Sequence, residues 1–328
     1  MEAIEKLRAA VHLSFEEAGL LFDDMLDGRM EEARIEEVLL MLSAKGETEE
    51  EIAGAARSLL ARSLGFPHTF ERLLDTAGTG GDDRGTFNIS TTAAIVCSLF
   101  LPVAKHGNRA VSSMSGSADV LEALKVPIDL TAEEASRFLK EKNFVFIFAQ
   151  KYFPAMRFVT GARQRIGKRT IFNLLGPLCN PARPNSQMIG VFRREIMQKY
   201  LAALEILAIP NVMLVSSSDG LDEVSLSAPT VCFHKRGHSV RRFEFDPKDF
   251  GIYADLEAIK GYGPEANARI MKETLLCRHP DLVNVVAINA AFALIAGEVE
   301  ERPVPAFLLA REAIRSGKAY ERLMELAS

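Results

Sequence analysis

Leu73-Leu-Asp-Thr-Ala-Gly78-Thr-Gly-Gly-Asp82, with Thr86-Phe-Asn-Ile-Ser-Thr91 close behind it, is the stretch on which the fold of this chain turns. A short apolar run stops at a glycine loop, and the loop leads into a helical segment that runs to about Leu99. That order, strand then loop then helix, is the repeating unit of an α/β domain. Glycines let backbone N–H groups approach an anion closely, and the helix N-terminus behind them adds its dipole. A phosphate cradle is the functional reading, against the plainer one of a glycine turn with a Ser or Thr helix cap. The loop lacks the Gly-Lys-Ser/Thr ending of Walker A and the spacing of the dinucleotide fingerprint.

The same punctuation recurs outward from this point. Apolar runs at Pro102 to Ala104, Phe144 to Ala149 and Val212 to Ser216 also end in glycine-rich or polar loops, with helical segments between them. This predicts a largely parallel sheet that binds ligands at its strand C-terminal ends. Alternation through Val224 to Leu226, Val231 to Phe233 and Val240 to Phe245 predicts antiparallel strands, so the sheet is mixed. Helices are expected over Pro264 to Leu276, Leu282 to Gly297 and Pro305 to Leu326. Towards the N-terminus the pattern is helical up to about Gly65: Ser14 and Glu17 form a capping box and Gly28 suits a C-terminal cap. A second helix carries Ile35, Val38, Leu39 and Leu42 and ends at Gly46, and Thr48 and Glu51 start a third. The fold class expected is α/β, with a small N-terminal helical domain plus a larger α/β domain built on a mixed, largely parallel central sheet. The boundaries fall at 1–66 for the helical domain, joined by part of 161–190, and 67–328 for the α/β domain. Three short helices bury little alone, and their leftover apolar surface suits a dimer contact.

Bulk composition narrows the partners. The 328 residues are 48% hydrophobic and 25% charged, enough apolar material for a large core. A net charge of −5 gives no whole-protein attraction to nucleic acid or to an acidic membrane surface, so any anion site is local. No apolar stretch reaches membrane-spanning length and no targeting segment is evident, so a cytoplasmic location without membrane partners is expected. Cys97, Cys179, Cys232 and Cys277 have no zinc-like or thioredoxin-like spacing and read as buried thiols.

Two further loops carry chemistry. Lys105-His-Gly-Asn-Arg-Ala-Val-Ser-Ser113, followed by Ser115-Gly-Ser117, offers a lysine, an arginine and several hydroxyls, the charge and directional donors a phosphate needs; a solvated polar loop is the alternative. Asp219-Gly-Leu-Asp222-Glu223 puts adjacent carboxylates at a strand end, which suits magnesium shared with substrate phosphates better than acid/base work; an exposed Asp-Gly turn is the alternative. The basic run with Arg157, Arg163, Arg165 and Arg169 is either a solvated helix face or a clamp for an acceptor carboxylate. His106 either faces that acceptor or is a hydrogen-bonded structural residue.

Taken in order, Gly78 to Asp82, Asn88 to Thr91, Lys105 to Ser117, Arg169-Thr-Ile-Phe-Asn-Leu-Leu-Gly-Pro-Leu-Cys-Asn-Pro181 and Leu221-Asp-Glu223 resemble the anthranilate phosphoribosyltransferases of the tryptophan pathway over nearly the whole chain. The resemblance implies a homodimer using Mg2+, 5-phosphoribosyl 1-diphosphate (PRPP) as donor, and anthranilate or a similar small aromatic amine as acceptor. It implies that Gly78, Gly81, Asp82, Thr86, Asn88, Ser90, Thr91, Lys105, Asn108, Ser113 and Ser117 hold the donor or lie beside it. Ser90, Asp222 and Glu223 would hold magnesium, and Gly78, Asn108 and Arg163 would meet the acceptor. The catalytic set is then Lys105, Asp222 and Glu223, acting electrostatically as diphosphate leaves the anomeric carbon, with no protein nucleophile. Another aromatic or heterocyclic nitrogen acceptor would use the same donor machinery; a non-catalytic nucleic-acid-binding relative runs against the acidic net charge.

The departures from the family pattern are expected on the acceptor side. Where the family commonly reads Ala-Pro-x-Tyr/Phe-His-Pro, this chain has Ala149-Gln-Lys-Tyr-Phe-Pro154, which puts Gln150 at a proline position and Phe153 at a histidine position. The usual Arg-Arg-Glu is Arg163-Gln-Arg165, which exchanges an acid for a base.

Overall fold

The computed structural model describes residues 2–80, 84–110 and 114–328. The chain opens with helices α1 (Glu2–Arg8), α2 (Phe15–Leu26), α3 (Glu32–Lys45) and α4 (Glu49–Ala61). An alternating region follows: β1 (Leu74–Gly78), α5 (Ile89–Cys97), β2 (Val103–Gly107), α6 (Ser117–Ala123), α7 (Ala132–Lys142) and β3 (Phe144–Phe148). Short α8 (Ala149–Tyr152), α9 (Arg157–Ile166) and α10 (Phe172–Leu175) lead to β4 (Ser186–Gly190), α11 (Met197–Ile206) and β5 (Asn211–Ser217). The hairpin β6 (Thr230–Arg236) and β7 (Ser239–Phe245) then precedes α12 (Pro264–Leu275), α13 (Pro280–Ala296), α14 (Pro303–Arg315) and α15 (Lys318–Leu326).

Local chemistry explains the helix starts. Ser14 accepts from the Glu17 N–H while Glu17 reaches back to the Ser14 N–H, and Thr48 with Glu51 repeats the arrangement on α4. Each such cap contributes about 1 kcal/mol. Asp27 caps α2, and Gly28 follows it at φ +72°. The helical region has one helix more than the sequence pattern indicated, because α1 is too short to show a period and buries only Leu7.

One seven-stranded sheet runs in the order β3-β2-β1-β4-β5-β6-β7. β1 to β5 are parallel, and β6 and β7 add antiparallel to one edge. Alternate residues face opposite ways, so the sheet has two cores. Leu74, Val103, Phe144, Met188 and Met213 pack with α5, α6 and the C-terminal helices, whereas Ala104, Val145, Ile147, Ile189 and Leu214 pack with α2 to α4 and α9 to α11. α13 buries fourteen of its seventeen residues and has no polar face, as a helix at the centre of a core requires. Among the described residues no single helix is long and apolar enough to cross a membrane.

Several expectations change. Val224 to Leu226 is not a strand: Ser225 and Ser227 both donate their hydroxyls to Asp219 Oδ2, which curls the segment back on itself. Pro305 to Leu326 is two helices, broken where Gly317 takes φ +82°. β4 is a strand that the sequence pattern does not predict, since Ser186-Gln-Met-Ile-Gly190 shows no apolar alternation. Cys97, Cys179 and Cys232 are buried, and burial pushes their thiols up, but Cys277 lies exposed in the turn after α12.

Candidate functional site

The chain steps outward from β1 to β2 and β3, then returns to the other side of β1 for β4 and β5. The loops after β1 and β4 therefore diverge and leave a crevice, the place where open parallel sheets bind ligands. Gly78 and Gly190 are paired at this crevice, and the Thr79 N–H donates to Gly190 O at 2.9 Å. The loop after β5 arches over both. A Cβ on Gly190 would lie 1.6 Å from Asp222 O, and one on Gly78 would lie 2.3 Å from Asp222 Oδ2, so both positions require glycine.

This arch carries one predicted acid to the glycine loop after β1 and the other to the start of α5. Asp222 Oδ2 accepts from the Gly80 N–H at 2.9 Å, and Glu223 Oε1 accepts from the Ser90 N–H at the start of α5 at 3.1 Å. Ser90, Asp222 and Glu223 are thus brought together although the two acids lie well over a hundred residues from Ser90 in sequence. Among the described residues no three of His, Cys, Asp and Glu converge. Two carboxylates and a hydroxyl are hard oxygen donors, too few to enclose a cation, and they suit a magnesium ion that completes its shell with water and substrate phosphate.

Lys105 sits in β2 rather than in the loop after it, and is 2% exposed. Its ammonium donates to Thr76 O and lies 3.4 Å from both Thr76 Oγ1 and Ser90 Oγ. Burial lowers its pKa, while the charges of Asp75, Glu223 and Asp222 act in the opposite sense. Asp75, one acid in the short strand β1, belongs to no sequence motif. It is fully buried, accepts from the His106 N–H at 3.0 Å and from Asn180 Nδ2 at 2.9 Å, and burial raises its pKa to about 6 against the pull of Lys105.

The other predicted donor residues that are described lie before and within the first turn of α5 and between β2 and the start of α6. Thr86 bridges to Lys260, and Thr91 is buried in the first turn of α5. Asn88 donates to Ser115 O and accepts from Asn267 Nδ2 at 2.9 Å. Asn108 is exposed just past β2, with its carbonyl accepting from the Ser117 hydroxyl at 3.4 Å. Arg109 is drawn away from the crevice into ion pairs with Asp119 and Glu122, which hold its pKa up. Gly81, Asp82 and Ser113 lie outside the described residues.

The residues considered for the acceptor are His106 on β2, Phe153 after α8 and Arg163 on α9. His106 is buried and bonds Gly176 O through Nδ1 at 3.0 Å, and the Phe153 ring packs against it at 5.7 Å between centroids. Arg163 lies half-buried on α9 over the Phe172 ring at 5.1 Å, with its pKa lowered by burial. No carboxylate pairs with it among the described residues. Arg165, two positions on, does something else: it pairs with Glu32 at 2.9 Å and with Glu36, both on α3. The acid-to-base exchange therefore ties α9 to α3. Gln150 is exposed on α8.

Comparison with known proteins identifies the family. The glycosyl transferase family a/b domain matches residues 71–320, and the helical bundle domain of the same family matches residues 1–63. The chain is 39% identical over 326 residues to an anthranilate phosphoribosyltransferase of Caldicellulosiruptor saccharolyticus, covering 99% of this chain and 97% of the relative. Among solved structures it is similar to an anthranilate phosphoribosyltransferase from Thermus thermophilus, with a TM-score of 0.93 and 36% identity over 100% of this chain and 98% of that one. It is also similar to the Saccharomyces cerevisiae enzyme in complex with PRPP and Mg, with a TM-score of 0.89 and 28% identity over 99% and 96% of the two chains.

Proposed function

The chain belongs to the anthranilate phosphoribosyltransferase family, and from that premise we propose how its own residues carry the transfer of phosphoribose from PRPP to anthranilate in tryptophan biosynthesis. The observation that supports this most strongly is the arch of Asp222 and Glu223 over the β1 and β4 ends, where one acid meets the donor loop and the other meets the start of α5. Ser90, Asp222 and Glu223 hold Mg2+, which when bound supplies positive charge to the diphosphate oxygens. Gly78, Gly81, Asp82, Thr86, Asn88, Thr91, Asn108, Ser113 and Ser117 grip the donor through backbone amides, hydroxyls and side-chain amides. Lys105 stands behind them and offsets the carboxylate charge, so that negative charge building on the leaving diphosphate meets a preorganised positive field. Catalysis assigned to Lys105, Asp222 and Glu223 is therefore electrostatic.

On the acceptor side Arg163 takes the carboxylate of the aromatic amine. A half-buried guanidinium with no acidic partner among the described residues is costly to leave so, and a bidentate carboxylate satisfies it. Gly78 and Asn108 lie between donor and acceptor, and Phe153 with His106 forms the apolar wall for the ring. We assign the helical unit to residues 1–66 with part of 161–190, the donor unit to 67–328, and a cytoplasmic homodimer as the working form, associating through apolar side chains left exposed on the helical unit, Val11, Leu20 and Leu40.

The test is direct. Purified chain with Mg2+ and PRPP should consume anthranilate and release diphosphate, and EDTA should abolish turnover. Donor binding by calorimetry without anthranilate turnover would instead favour another nitrogen acceptor, the reading for which the Phe153 ring against His106 is the motive.

A further inference from the structure

Asn289 is the single polar residue among those α13 buries, and it is completely buried. An amide in that position is costly unless every polar atom is matched. Its Oδ1 accepts from the Val224 N–H at 2.9 Å, and its Nδ2 donates to Val224 O at 3.0 Å and to Val285 O at 2.9 Å. One side chain thus holds both backbone groups of Val224, the residue immediately after Glu223. Val224 is itself buried at 1% exposure and lies in no strand, so without Asn289 these two groups lose their partner. The start of the loop is tied to the segment just after Val224, by Asp219 accepting from the Ser225 and Ser227 hydroxyls.

A small cavity of about 10 Å³, the size of one water, lies directly beneath the site. Thr76, Ser90, Glu223 and Asn289 are among the residues that line it. Asn289 therefore forms part of the floor under the acidic pair. With its amide already committed to backbone groups, it acts through another residue and not as a ligand.

We infer that Asn289 is a positioning residue for the metal site: by clamping Val224 it fixes the height and direction of Glu223 against Ser90. The inference rests on the assignment of Ser90, Asp222 and Glu223 to Mg2+. Outer contacts that orient metal ligands typically change affinity about tenfold to a hundredfold when removed.

The experiment titrates Mn2+ into the full chain with PRPP present, following free Mn2+ by electron paramagnetic resonance. Asn289→Leu keeps the branched skeleton and removes the clamp, Asn289→Ser leaves one short hydroxyl in place of the amide, and Leu323→Ala, in the core on α15, serves as a control for general destabilisation. The expected result is that both Asn289 variants bind Mn2+ about tenfold or more weakly while excess Mg2+ restores much of kcat, and that Leu323→Ala binds as the unsubstituted chain does. Unchanged Mn2+ affinity in the Asn289 variants, or equal weakening in Leu323→Ala, overturns the inference. Should neither Asn289 variant fold, amide exchange in the unsubstituted chain decides: Mn2+ with PRPP should slow exchange at Val224, and no change there overturns it. If the unsubstituted chain binds no Mn2+ with PRPP, the metal assignment itself has failed.

Discussion

His106 donates its Nδ1–H to Gly176 O, because a carbonyl can only accept, and this leaves Nε2 as a buried lone pair with no partner among the described residues. Burial, reinforced by the Lys105 charge, depresses its pKa to about 4. The unfolded chain takes up the proton near pH 6.5 and the folded chain only near 4, so the stabilisation is present above 6.5 and lost as pH falls through that window. A loss of roughly 3 kcal/mol is expected. Urea unfolding between pH 7 and 4, set against a His106→Asn variant, should show a difference of that sign, and an NMR titration should place the imidazole near 4. Arg163 is the second residue-scale test. Replacing it by Gln should raise the KM for anthranilate about tenfold to a hundredfold, the worth of a charged hydrogen bond, and leave donor affinity unchanged. Steady-state kinetics beside PRPP calorimetry separates the two.

At the level of elements, the seam between α3 and α9 replaces an expected acceptor contact. Arg165 reaches Glu32 and Glu36, and the Glu32 carboxylate sits over Gly161, where a Cβ would come within 1.7 Å of Glu32 Oε1. Arg165→Glu should therefore lower the midpoint of thermal or urea unfolding, as exposed ion pairs become like charges, with no gain in anthranilate turnover. Gly190→Ala should lift the Asp222 loop and weaken Mg2+-dependent donor binding while the rest of the sheet folds; calorimetry with and without Mg2+ reads this. These elements differ in how far the sequence exposed them. β1, β2, β3 and β5 were legible because each apolar run stops at a loop rich in glycine or polar residues. β4 was not, since Ser186 and Gln187 are polar yet buried, Gln187 through its bond to Pro177 O. Asp222 and Glu223 were legible as a pair, whereas Asp75 and Asn289 depend on partners far away in sequence. Arg165 misled because sequence spacing gives a helix face without saying what packs on it.

For the whole molecule, the helical unit leaves Val11, Leu20 and Leu40 exposed at 48%, 65% and 48%. Leu40→Glu should shift light scattering from dimer to monomer and leave the sheet's circular dichroism intact. A chain already monomeric before substitution would remove the dimer assignment. Assembly of the site also has an order in time. The arch that carries Asp222 and Glu223 is synthesised 65 residues before the amide of α13 that fastens it. A nascent chain emerging from the ribosome can thus display every residue of the donor loops and still lack a fixed floor beneath them. Competence for the donor therefore waits on the synthesis of α13.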